Sequence, residues 1–261
     1  MSSLRILVIG GLTSYRALFN WLTPWILIPS FMVVPLFQIL FFAYIGRAAG
    51  ASDDSFFLIG NALLNAALPG LFATGITISG ERSAGTLPLL LSSPAKRLPL
   101  FLGRALPVVL NGFLVAAIAL ITGAVVLHVG IPVRAWGGLT LAVAVSSISC
   151  TGLGLAVAAV ALRVRQTLVL SNIIFGLLII FAGINVPVDA MPTWMRWVAH
   201  GLPLTNGVQA AHELMAGRAM ADITGLILAE VVVGVAWAAI GLLLLRVFEW
   251  ESRRLSTLDT I

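Results

Sequence analysis

The chain has 261 residues, 60% of them hydrophobic and only 10% charged, and its mean hydropathy is +1.08. A soluble domain carries about 25% charged residues, so the composition excludes a soluble globule and points to an all-α polytopic membrane protein. The net charge of +5 does not imply nucleic acid, because the arginines stand singly at the ends of apolar runs, where the positive-inside rule places them.

Near the N-terminus, Leu4, Val8, Gly11, Tyr15, Leu18 and Leu22 form a stripe at helical spacing. Arg5, Thr13, Arg16 and Asn20 lie largely opposite, so residues 3–21 are expected as a helix in the membrane interface, charged side to the cytoplasm. A soluble pre-helix is the alternative. No cleavable signal sequence is expected, since the apolar stretch 6–12 is short, broken by Gly10-Gly11 and followed by Tyr15-Arg16.

Six segments then reach the length of about 20 apolar residues needed to cross the hydrocarbon core: 25–45, 56–79, 100–127, 139–162, 168–187 and 223–247. Pro29 and Pro35 predict a kink in the first. Small residues recur every fourth position, as Ala62, Ala66, Gly70 and Thr74 in the second span and Ala142, Ser146, Cys150, Gly154 and Ala158 in the fourth. Such faces let helix backbones approach closely in lipid. Cys150 is the single cysteine, so no intrachain disulfide can form. Of the 15 Lys and Arg residues, only Arg47, Arg134, Arg196 and Arg218 fall on one side of this topology. The remainder place both termini, the 80–97 loop and the 163–166 turn in the cytoplasm.

Residues 79–97 form the one polar-punctuated segment in the first half of the chain. Thr86 can cap a short helix, Pro88 is tolerated in its first turn, and Pro94 closes it. Leu87, Leu90 and Leu91 share one face of that helix. An apolar helix on a cytoplasmic loop reads as a plug for another protein, with an interfacial loop as the bland alternative. The segment from Asn185 to Asn206 is also distinctive: three prolines, Pro187, Pro192 and Pro203, cut it into pieces, and Trp194, Met195, Trp197 and Val198 give one an aromatic face. Two short external helices dipping into the outer leaflet, within 188–215, are expected here.

Residues for catalysis are not apparent. Lys96, the only lysine, has no glycine cradle before it, so the chain carries no P-loop. His128, His200 and His212 lack metal-site spacing. The ionisable residue inside a span is Glu230, on the same face as Gly234 and Ala238. Intramembrane carboxylates face the bundle interior or a wet cavity. Glu230 is either a substrate- or proton-handling group or a hydrogen-bonding one, with Asn61 and Asn65 as neighbours at similar depth. Asn172 joins them as a pathway or packing candidate.

Glu81-Arg82, Gly85-Thr86, Leu87, Leu90, Leu91 and Ser93-Pro94 resemble the signature of the ABC-2 family of ABC transporter permeases. Gly183 to Pro187, Met191-Pro192-Thr193-Trp194 and Pro203-Leu204-Thr205 look like that family's lead-in to paired external helices, and Pro35-Leu36-Phe37 is a weaker match. The flavour is that of daunorubicin-resistance-type drug exporters. Pro88 departs from the pattern, standing where an acidic residue often follows Gly-Thr-Leu. The resemblance implies one transmembrane domain over 1–261, with no catalytic, cofactor or metal site of its own. It also implies two separate ATPase subunits carrying ATP and Mg, docked on Glu81 to Pro94, and a second permease half, identical or homologous. The setting would be a bacterial plasma membrane, and the cargo a small amphiphile such as a drug, antibiotic or lipid. The rival readings are an ion-coupled secondary transporter, with Glu230 as its charge, and a non-transporting membrane scaffold.

Overall fold

A computed structural model of the chain describes residues 25, 29–50, 53–83, 97–164 and 167–254. Among these the regular elements are all helical. A π-helical turn, Pro29–Val33, leads into α1 (Val34–Ala48), followed by α2 (Asp54–Ser83), α3 (Arg97–Leu127), α4 (Trp136–Val164) and α5 (Thr167–Phe181). Two short helices, α6 (Thr193–Gly201) and α7 (Thr205–Met215), precede α8 (Met220–Arg254). The interfacial helix expected over 3–21 lies outside the described residues.

Among the described residues, five helical stretches are long and apolar enough to cross a membrane: Phe31–Ala48, Asp54–Thr74, Ala105–Leu127, Val133–Val160 and Met220–Phe248. The kink expected from Pro29 and Pro35 takes the form of the π-helical turn, after which Pro35 sits in the first turn of α1, where its missing N–H is harmless. The stretch expected to span at 168–187 is different. Its helix ends at Phe181 and covers 15 residues, about 22 Å at 1.5 Å per residue against a core of about 30 Å. The apolar composition continues, but the backbone leaves the helix and turns through Gly183 at φ +75°. Composition cannot show that break, because Gly183 and Ile184 are as apolar as the helix they end.

The α4 helix is central, packing along α2 on one side and α8 on the other. Glycine makes both contacts possible. A Cβ on Gly70 would lie 2.9 Å from the Cys150 carbonyl carbon, and one on Gly154 would collide with the Gly70 carbonyl oxygen. On the opposite side, a Cβ on Gly234 would lie 2.7 Å from the Ser149 Cα, and one on Gly241 would lie 2.7 Å from the Ala156 amide nitrogen. Lipid supplies no hydrophobic force between helices, so such close backbone packing carries the association. Both small-residue faces read from the sequence are therefore real contacts, and α4 has a second one, Ser149-Gly152-Ala156, facing α8.

The outer helices turn large apolar side chains away from the bundle, as at Phe37 and Phe41 on α1 and Val232 and Val235 on α8. A tight corner joins α1 to α2. There Gly50 adopts φ +85°, and Arg47 makes a two-point contact with Asp54, with Nε donating to Oδ1 at 2.9 Å and Nη2 to Oδ2. Asp53 accepts from the Ser55 amide at 2.9 Å, which caps the start of α2.

Candidate functional site

Glu230 is completely buried on α8. Its two oxygens meet the N-terminus of α7: the Leu204 amide donates to Oε1 at 2.6 Å and the Gly207 amide to Oε2 at 3.3 Å. Those amides are among the first-turn donors that a helix cannot satisfy internally, and the positive end of the helix dipole favours an acceptor carboxylate there. No side chain of α7 caps its own start. Leu204 itself holds φ 80°, a left-handed conformation that costs a non-glycine residue energy. Its bond to Glu230 helps hold that conformation in place. The neighbouring turn fits because Gly207 lies against Ser146 of α4.

Asn61 and Asn65 are both fully buried on α2 but do not bond Glu230. Asn61 Nδ2 donates to Asn185 Oδ1 at 2.9 Å and to the Phe57 carbonyl at 3.0 Å, while Gln38 Nε2 donates to Asn61 Oδ1 at 3.4 Å. Asn65 Nδ2 donates to the Asn61 carbonyl at 2.8 Å. This set ties α1, α2 and the chain after α5 together at one level. The same chain lies close on α2, since a Cβ on Gly60 would collide with the Ile184 carbonyl. Asn172 stands apart: it is exposed on α5, with Nδ2 donating to the Leu168 carbonyl at 2.8 Å.

The two short helices expected within 188–215 are present, but they differ in environment. Pro187 precedes the turn Val188–Ala190, and Pro192 occupies the position just before α6. On α6, Trp194 and Trp197 are 62% and 78% exposed, and Trp194 meets Phe181 edge-on at 6.0 Å. By contrast α7, entered through buried Pro203, packs into the bundle along Val208, Ala210, Ala211 and Leu214. Its small residues admit it: Leu214 fits over Gly138 and Gly207 over Ser146. The aromatic face of α6 stays exposed, whereas α7 has a composition that suits either an exposed or a buried setting.

Of residues 79–97, Glu81 and Arg82 occupy the last turn of α2 as backbone. Gly85, Thr86, Leu87, Leu90, Leu91 and Pro94 lie outside the described residues. Among the described residues no three His, Cys, Asp or Glu side chains come together to hold a metal, and Cys150 is buried.

The sequence profile of the ABC-2 type transporter family matches residues 11–216. The chain belongs to the ABC-2 type transporter family. That match runs from before α1 to just past α7, so the short helices and their Glu230-capped turn fall at the C-terminal end of the shared region. No curated protein sequence matches the chain. As an ABC-2 transporter membrane domain, it uses its buried polar groups to join helices: Glu230 joins α8 to α7, and Asn61 joins α2 to the chain after α5. Gln38 was overlooked in the sequence, although a glutamine inside an apolar run is a readable signal. The Leu204 and Gly207 amides carried no such signal, because a backbone donor has no side-chain identity.

Proposed function

We propose that this ABC-2 protein is the membrane permease subunit of an ATP-driven exporter, working with separate ATPase subunits. The family match over 11–216, on an all-helical bundle with five membrane-capable helices, carries the reading. In this proposal the bundle has six spans. The short α5 is the fifth, completed by non-helical chain whose Ala182, Gly183 and Ile184 are buried in protein, the setting in which irregular backbone is tolerated at membrane depth. Both termini and residues 81–97 face the cytoplasm, and α6 and α7 the outside. The charge distribution of the loops supports that orientation.

The chain itself performs no hydrolysis; ATP and Mg belong to the partner. Leu87, Leu90 and Leu91 form an apolar knob for the ATPase, with Glu81 and Arg82 orienting it through charge-assisted hydrogen bonds. Pro88 alters the local contact by removing a backbone donor. A second permease half, identical or homologous, completes the pathway for an amphiphilic cargo in a bacterial plasma membrane. Drug export of the daunorubicin-resistance type is the specific form the signature resembles. The rival ion-coupled carrier loses support at its one intramembrane carboxylate, since both oxygens of Glu230 are engaged by the start of α7.

The test is ATPase activity and export in a co-expressed complex. Gly85→Val and Leu90→Asp are expected to leave the permease in the membrane while abolishing export. Export equal to wild type with both changes would remove the coupling role of the segment.

A further inference from the structure

Of the nine residues of α6, only Ala199 is buried. The helix is held mainly at its two ends. At its start the Trp194 ring meets Phe181, the last residue of α5, edge-on at 6.0 Å. At its end Trp237 Nε1, on α8, donates to the Gly201 carbonyl at 2.9 Å. The last carbonyls of a helix have no partner within it, so the end of α6 takes its bond from a side chain of another helix.

Glu230 and Trp237 stand about two turns apart on α8. Between them they offer an acceptor and a donor that match the corner joining α6 to α7. Glu230 accepts from the first amides of α7, and Trp237 donates to the last carbonyl of α6. The two attachments differ in strength of support. The α7 helix is also packed into the bundle along Val208, Ala210, Ala211 and Leu214, whereas α6 relies on one neutral hydrogen bond and one ring pair. Trp237 lies near the middle of the membrane-capable stretch Met220–Phe248, where no water replaces a lost bond.

The helices that α6 touches pack elsewhere: α5 on α2 and α4, and α8 on α4 and α7. About 14 Å long, α6 runs from the end of α5 to the middle of α8. We propose that α6 is a releasable strap between α5 and α8, with Trp237 as the positioning residue that keeps it fastened. Fastened, it fixes the C-terminal end of α5 relative to α8. Released at Gly201, α6 turns about the corner that Glu230 still holds, and α5 and α8 are joined through the bundle alone. These contacts lie within one chain and need neither an ATPase nor a second permease half, so the strap goes beyond the transport reading.

The experiment is double electron–electron resonance on the full-length chain in nanodiscs, without ATP, with spin labels at Ile180→Cys on α5 and Val235→Cys on α8. Both positions are exposed and the native Cys150 is fully buried, so labelling is confined to the introduced sites. A second pair, Val125→Cys on α3 with Val235→Cys, reports on helices that α6 does not bridge. Trp237→Phe keeps a ring and removes the donor. Trp194→Ala, at an exposed position, opens the other end and serves if circular dichroism shows that Trp237→Phe misfolds. In each variant the 180–235 distances are expected to broaden while the 125–235 distances stay as in wild type. In Trp237→Phe, amide exchange over 195–202 should speed about three- to tenfold, the factor that one neutral hydrogen bond supports. An unchanged 180–235 distribution, unchanged exchange in folded Trp237→Phe, or equal broadening of both pairs overturns the proposal. Because neither ATP nor cargo is used, failure of the exporter reading leaves this result unaffected.

Discussion

Replacing Glu230 tests how the last helix is joined to the bundle. The carboxylate accepts from two amides, at 2.6 and 3.3 Å, and one of those belongs to Leu204 at φ 80°. In Glu230→Leu both donors lose their acceptor within protein, and each buried unmade bond costs about 1–3 kcal/mol. Loss of the favourable helix-dipole contact adds up to about 2 kcal/mol. Relief from burying a carboxylate offsets part of this, so a net loss of about 2–5 kcal/mol is expected. Glu230→Gln keeps one acceptor oxygen but presents an NH2 group to the second amide, and should lose about half as much. The assay is hydrogen exchange over α7 together with thermal unfolding in nanodiscs. Both variants should speed exchange at residues 204–208 before the rest of the bundle, because local openings precede global ones. Unchanged exchange and melting in Glu230→Leu would refute the capping role. Undiminished folding of Glu230→Gln with lost export would instead restore a transport role for the carboxylate.

The glycine contacts predict opposite effects for the same chemical change. Gly154→Ala drives a Cβ into the Gly70 carbonyl and should cost about 1–3 kcal/mol by overpacking. Gly225→Ala, on α8 with nothing within 4 Å of the new Cβ, should stabilise by about 0.4–1 kcal/mol; equal melting shifts of the same sign would contradict the α2–α4 contact. Burial holds the His212 pKa below that of free imidazole, so the folded state prefers the neutral ring. The associated stability is present above about pH 6.5 and is lost as pH falls from there toward the lowered folded value. Melting curves between pH 7.5 and 5.5 should fall more steeply for wild type than for His212→Gln, and parallel curves would exclude the linkage.

Much of the bundle was legible because membrane burial imposes a simple rule on composition. Long apolar runs locate α2, α3, α4 and α8 to within a few residues at most ends, although α8 continues to Arg254 beyond the apolar limit at 247. Past that point hydrogen bonds continue the helix although hydropathy no longer demands it. Gly70, Cys150 and Gly154 could be read as a packing face because close approach requires small side chains on both partners. Asn61 and Glu230 stood out as polar residues in apolar surroundings, but their partners did not. Asn61 bonds Asn185, far along the chain, and Glu230 bonds two main-chain amides that any sequence would possess.

The amino-acid sequence by itself determined that this is a helical membrane protein with the ABC-2 signature, since composition, helix length and local motifs all lie within short windows of chain. Only the tertiary structure decided that α5 stops at Phe181, that α7 is buried while α6 shows its tryptophans, and that Glu230 meets the start of α7. Each of those outcomes depends on residues distant in sequence meeting in space. A helix of small and polar residues is stable on a leaflet or inside a bundle, and the glycines at 138 and 207 with the carboxylate at 230 tip α7 inward.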